Sequence, residues 1–373
     1  MHDPTAIRSV QLVLPCADLD PTLKFFVDRL GFRLDAIFPA DQPSVAVLSG
    51  HGTTVRLDRS LDGEPGHLRL LCDEAELDPT AFGASLVAPN GTVVDVVRAH
   101  PPIEVPDVRQ ELVFNRLGDG ADWAVGRAGM RYRDLIPGRL GGSVIASHIH
   151  IADAGPVPDY VHFHHVRFQM IFCVKGWVRL VYEDQGAPFV LETGDCVLQP
   201  PRIRHRVLEC SADLEVVEIS SPADHETIVE HTIELPTAQL RPEREFAGQR
   251  FCRHRASRAT WLAWHRNGFE CRDLGIGDAT NGLAGARVVR PSGEPTTIPS
   301  GDRPVDRLAH DTELQFLFVL GGTTTLDMGS GSVVRLGRAD NVAIPGAVRW
   351  ALRDCSRDLE LLDVTVPAHV TPR

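Results

Sequence analysis

The chain has 373 residues, 43% hydrophobic and 24% charged, the profile of a soluble globular protein long enough for two or three domains. Its formal net charge of −12 argues against nucleic acid or an anionic membrane surface as a partner. No apolar run approaches ~20 residues, MHDPTAIRSV carries no basic region followed by an apolar core, and the 8 cysteines form no C-x-x-C. No membrane span, reduced thiols and a cytoplasmic location are therefore expected.

Val10 to Leu14 reads as a strand ending in the turn Pro15-Cys16-Ala17-Asp18. A helix is expected from Pro21 to Leu30, burying Leu23, Phe25, Phe26 and Leu30 at helical spacing, capped by Asp18 and stopped at Gly31. Ser44 to Leu48 and Thr53 to Leu57 read as strands joined by a Gly-containing turn, and residues 67–72 and 89–97 supply further β-rich pieces. Residues 99–110, with three prolines, read as a linker.

Short strands punctuated by glycine and proline follow. Trp123 to Leu135 supplies the first of them, and Ser143 to Ile151 is another. In the latter Val144, Ala146, His148 and His150 share one face. If that face lines a cavity, His148 and His150 can orient substrate, take a proton or support a ligand from behind; otherwise they belong to a polar lining or a subunit interface.

The sharpest chemical signal lies between Pro158 and His205. His162 and His164 form an H-x-H pair, which a strand places on one face. Four residues separate His164 from Gln169, and six separate Gln169 from Gly176. Gly194, Pro200, Arg202 and His205 follow at the end of a strand that stops at Gln199. His205 returns a third imidazole to the pair, and three imidazoles suit Fe, Zn, Cu, Ni or Mn with positions left open. Gln169 is expected to face the cavity and hold substrate or bound water, with Gln199 beside it. Arg167 shares that face if the strand is regular, and either pairs with an anionic substrate or forms a surface salt bridge. His165 faces the other way.

The second half of the chain repeats the first. GMRYRDL at 129–135 matches GFECRDL at 268–274, an offset of 139 (Asp134 to Asp273). HHVRFQMIFCVKG at 164–176 matches HDTELQFLFVLGG at 310–322, an offset of 146, and Pro200 matches Pro345, an offset of 145. Near-constant offsets mark an internal duplication. Leu308 stands in the second copy where the first has His162, and Trp350 where it has His205; His310 and Gln315 are retained. The histidines of the first copy are therefore not demanded by the fold.

The two-part pattern of His162, His164, Gln169 and Gly176, then Gly194, Pro200 and His205, resembles the signature of the cupin superfamily, G-x5-H-x-H-x3-4-E-x6-G and G-x5-P-x-G-x2-H. Gln169 replaces the usual glutamate ligand and Arg202 the usual glycine. VQLVLPCADLDPTLKFFVDRLGF resembles the opening of a vicinal oxygen chelate, or glyoxalase-like, module. The two resemblances together imply a mainly β chain. A small α+β vicinal-oxygen-chelate-like domain at 1–100, its Gln11, Arg56, His67 and Asp95 in a degenerate ligand pattern, precedes two tandem jelly-roll barrels. The barrel at 110–235 carries the metal site and the one at 250–373 has lost it.

The cupin resemblance further implies an enzyme, first of all an Fe(II), O2-dependent dioxygenase that cleaves a C–C bond of a small anionic phenolic or enolisable substrate. Three neutral imidazoles leave the ion its full 2+ charge to attract such an anion. His162, His164 and His205 would hold the metal, Gln169, His150 and Arg167 would act on substrate, and His148 and Gln199 would support them. A lyase or isomerase using Zn, Mn or Ni as Lewis acid, and a non-enzymatic small-molecule binder, are the alternatives. A homodimer is a further expectation.

Overall fold

The computed structural model describes residues 4–73, 85–118, 120, 122–293, 306–329 and 331–369. The chain divides into two units, Met1–Pro102 and Ile103–Arg373.

In the first unit the strand Leu12–Pro15 leads into the helix Leu19–Asp28, two residues earlier than expected at each end. Phe26 is fully buried against Leu14, Leu48 and Leu57. The strand Leu12–Pro15 pairs in parallel with Thr53–Asp58, and Val45–Gly50 and Arg33–Phe38 complete an antiparallel series outward. The strand Arg33–Phe38 carries no clean alternation and was not expected. Three more strands, His67–Cys72, Ser85–Val87 and Val93–Arg98, form a second sheet whose first and last members are also parallel. Of the positions singled out here, Gln11 is exposed, Arg56 is paired with Asp58 at 2.9 Å, and His67 Nε2 lies 2.7 Å from Asp95 Oδ2.

The second unit is mainly β and holds two tandem jelly-roll barrels. In the first, a seven-stranded sheet runs Cys252–His254, Cys196–Leu198, Phe168–Lys175, Leu214–Ser221, Ile145–Ile151, Arg131–Asp134 and Ala124–Val125. The opposing sheet joins Phe189–Glu192, Trp177–Tyr182, His205–Cys210, His162–His164 and Thr227–Val229. The second barrel repeats the plan. A seven-stranded sheet contains Phe269–Asp273, Gly285–Pro291, Glu360–Val366, Leu314–Gly321 and Asn341–Ala343, and faces a three-stranded one.

Each barrel lends its leading strand to the other. Val113–Asn115, which precedes the first barrel, pairs with Asn341–Ala343 of the second. Cys252–His254, which precedes the second, pairs with Cys196–Leu198 of the first. The exchange covers sheet edges that would otherwise present unpaired backbone.

The larger sheets are apolar on both faces. Phe168, Met170, Phe172, Val217 and Ile219 of the first barrel join Phe316, Phe318, Leu362 and Val364 of the second in one buried core between barrels. The alternate residues, among them Ile149, Cys173 and Val216, fill the first barrel together with Val178 and Leu180 of the opposing sheet. Alternation along Phe168–Lys175 therefore turns Gln169 and Ile171 inward and their neighbours toward the other barrel.

Candidate metal centre

His162 and His205 stand opposite each other on antiparallel strands, and His164 is two residues along from His162. One ring nitrogen from each of the three lies within 4.8 Å of the others. The strand pairing brings the residues together, and hydrogen bonds then orient the rings. Nδ1 of His162 lies 2.8 Å from the Tyr160 carbonyl, Nδ1 of His205 lies 3.0 Å from the Ile203 carbonyl, and Nδ1 of His164 lies 3.0 Å from Thr227 Oγ1. Bonds to the two carbonyls place the proton of His162 and His205 on Nδ1 and leave Nε2 as the lone-pair nitrogen. Nε2 of His162 is buried and has no hydrogen-bond partner among the described residues.

Burial is the main cause that pushes all three imidazoles toward the neutral form, and their mutual proximity adds to it for His164 and His205. The His164 pKa falls to about 2, with Arg127 and His225 contributing. That of His205 lies well below the usual value, and that of His162 is lowered by burial and then by Arg127. Neutral imidazoles with converging lone pairs, one of them unpartnered, fit a divalent cation.

The adjoining cavity has a volume of about 60 Å3, and its wall includes His164, His205, Gln199, Tyr182, Arg127 and Glu218. Both amide atoms of Gln199 are buried and have no partner among the described residues, and the same holds for the Tyr182 hydroxyl. Tyr182 stacks on His205 with ring centroids 5.5 Å apart. Arg127 is ion-paired with the buried Asp159, whose other oxygen accepts a bond from the Val207 amide at 2.9 Å. Glu218 projects from Leu214–Ser221 beside Gln169. Burial raises its pKa, against the charges of His225 and Arg127 and the dipoles of Gln169 and Ser220.

Gln169 is buried on the inward face, and its Nε2 has no partner among the described residues. His148 and His150 do share one face, but it looks away from the cavity. Ile149 and Ile151 take the cavity side. His148 instead contacts Arg133, Glu215 and the ring of Phe318 in the second barrel. His150 pairs with Asp213 at 3.3 Å, and Trp123 lies against both imidazoles. Arg167, one residue before its strand begins, turns outward to Glu313 at 3.2 Å. These three are thus not brought to the triad.

Arg127, Asp159, Tyr182, Glu218 and Thr227 were not singled out from the sequence. Two of them carried a signal. Arg127 has a counterpart in Arg266 at the offset of 139, and Glu218 has one in Asp363 at the offset of 145.

The second barrel has the same geometry with different chemistry. Leu308 and Trp350 form the isolated bridge equivalent to His162 and His205. Arg266 lies 3.6 Å from the ring centroid of Trp350, so guanidinium and indole occupy the space used by the triad. Both nitrogens of His310 are engaged, with the Ile344 carbonyl and the Thr312 hydroxyl. Gln315 donates to Asp363.

No family model matches the chain, and no curated protein matches it. Among solved structures it is similar to the formate complex of Lactobacillus farciminis oxalate decarboxylase, with a TM-score of 0.49, 12% identity, and 72% of this chain and 89% of that one covered. It is also similar to Bacillus subtilis oxalate decarboxylase at pH 4.6, with a TM-score of 0.47, 12% identity, and 71% of this chain and 78% of that one covered. Likeness at this level concerns the fold and leaves the reaction to the residues themselves.

Proposed function

We propose that the first barrel is a metal-dependent enzyme acting on a small aliphatic anion, and that its reaction is a lyase or isomerase step in which Glu218 moves a proton. The observation that carries this reading is the cavity beside the triad: its lining includes His164 and His205 of the three grouped imidazoles, the guanidinium of Arg127 and the carboxyl of Glu218. A divalent ion held by His162, His164 and His205 would act as a Lewis acid on the substrate. Arg127, fixed by Asp159, would hold a second anionic group of the substrate. Glu218, whose pKa burial raises, is placed to give a proton to an atom that gains negative charge. The volume of about 60 Å3 is well below the ~150 Å3 of a cavity that admits benzene, which disfavours an aromatic substrate.

A second reading is O2-dependent C–C cleavage of a small enolisable anion with Fe(II). The neutral ligand set favours it, because it leaves the ion's charge unreduced. Elemental analysis of protein purified without chelators, beside His162→Ala and His205→Ala, tests both readings. About one ion per chain, lost in both variants, is expected. Iron with oxygen uptake on a panel of small keto acids and diketones would select the second reading. Turnover of the panel without oxygen would select the first, and no metal after reconstitution would sink both.

The unit at the N-terminus is read as a degenerate glyoxalase-like module. Its order of parallel outer strands around a helix supports this, as does the mutual pairing of His67 and Asp95, which withdraws both from ligation.

A further inference from the structure

We propose that Arg253, His254, Arg255 and Arg258 form a binding site for a small phosphorylated anion, separate from the metal centre. These four side chains line a surface concavity of about 400 Å3, and among the described residues no carboxylate lines it with them. The site lies on the leading strand of the second barrel, where it pairs with the first.

The internal duplication supplies the control. By strand pairing, Phe114 and Asn115 occupy in the other half the positions of Arg253 and His254: Val342 lies opposite Phe114, and Val197 lies opposite Arg253. One offset of 139 before Arg255 the residue is Arg116, and before Arg258 it is Asp119. The exchanged strand therefore forms without two of the three guanidiniums, and a chain of net charge −12 has added Arg253 and Arg258 beside the shared Arg255 where the fold does not ask for them.

The guanidiniums are differently prepared. Arg253 is held in place, donating to the Val190 carbonyl at 2.7 Å and lying 4.0 Å from the centroid of Phe189, with its Nε buried and without a partner among the described residues. Arg255 and Arg258 have no ion pair among the described residues. His254 accepts a bond from Arg272 at Nε2, 2.9 Å away, and burial lowers its pKa. It is then the neutral tautomer with Nδ1–H as a donor. Asp195 and Glu192 act on Arg253, and Asp195 and Asp273 act on His254. Asp195 is already used by the amides of Ala256 and Glu192, at 2.8 and 3.2 Å. Several fork-shaped donors with a net positive field match phosphate oxygens, and the volume exceeds the needs of a single phosphate.

Calorimetric titration of metal-stripped full-length protein with inorganic pyrophosphate at physiological ionic strength tests this assignment. Removing the metal keeps chelation at the triad out of the measurement. Saturable binding is expected, weakened at least tenfold in Arg255→Ala/Arg258→Ala and partly retained in Arg255→Lys/Arg258→Lys, with unfolding midpoints unchanged. Absence of saturable binding, or binding the double alanine variant leaves intact, would overturn the site. Citrate binding as tightly as pyrophosphate would overturn the phosphate assignment.

Discussion

Arg133 and Arg272 make the same bond in opposite directions. Arg133 of the first barrel donates to the carbonyl of Ala339 in the second, and Arg272 of the second donates to the carbonyl of Gly194 in the first, 3.0 Å away. Each also meets an imidazole, His148 for Arg133 and His254 for Arg272. The barrels are thus joined by an internal pseudo-twofold contact of the kind that symmetric dimers use.

Arg133→Ala removes donors from Ala339, Asn115 and His148 together, at a site where Arg133 is only 1% exposed. A loss of about 3 kcal/mol is expected in denaturant unfolding. Arg139→Ala, which removes a contact to Asp134 from a side chain that is 45% exposed, is expected to change stability by less than ~0.5 kcal/mol.

Acid should loosen the same junction. Glu215 accepts from His148 at 3.2 Å and pairs with Arg338 of the second barrel at 3.0 Å, and Lys175 lies 4.0 Å away. His148 is the largest cause that lowers the Glu215 pKa, to about 2 from 4.5, so the folded state binds this proton less readily than the unfolded one. The contribution is present above pH ~4.5 and is lost as pH falls toward 2. His148, lowered by burial, works in the same direction below its ordinary 6.5. Glu215→Gln should flatten the dependence of the unfolding midpoint on pH between 5 and 2; an unchanged slope would refute the assignment.

Trp350 fills the space that the triad occupies in the first barrel. Trp350→Ala should cost ~3–5 kcal/mol through the cavity left under Arg266, with metal content unchanged. Metal loss in this variant would show that the second barrel takes part in binding the ion.

Glu218→Gln keeps the volume and removes the proton. Metal content should stay at the wild-type level, while turnover of any substrate found on the small-acid panel falls ~10²–10⁴-fold. Arg127→Met should mainly raise KM, because it removes a group proposed to bind substrate in the ground state as well.

The duplication and the three histidines were legible in the chain alone, and the jelly-roll plan was what the cupin resemblance implied. Offsets of 139 to 146, turn glycines and a period of two are local properties, and His162, His164 and His205 follow from them without knowledge of packing. The comparison of His162 with Leu308 and of His205 with Trp350 also needed only the chain, and the bridge between Leu308 and Trp350 bears that equivalence out. Direction, by contrast, came only with folding. Alternation grouped His148 with His150 and Gln169 with Arg167, but both faces of these strands are buried, one in the barrel and one against the other barrel, so period and polarity do not say which face meets the cavity. Glu218 and Arg127 escaped for a related reason: an isolated acid in an apolar strand and an arginine in an irregular turn read as surface residues until the sheets close around them. The exchange of leading strands was equally hidden, because it depends on pairings between residues more than fifty positions apart that no local pattern encodes.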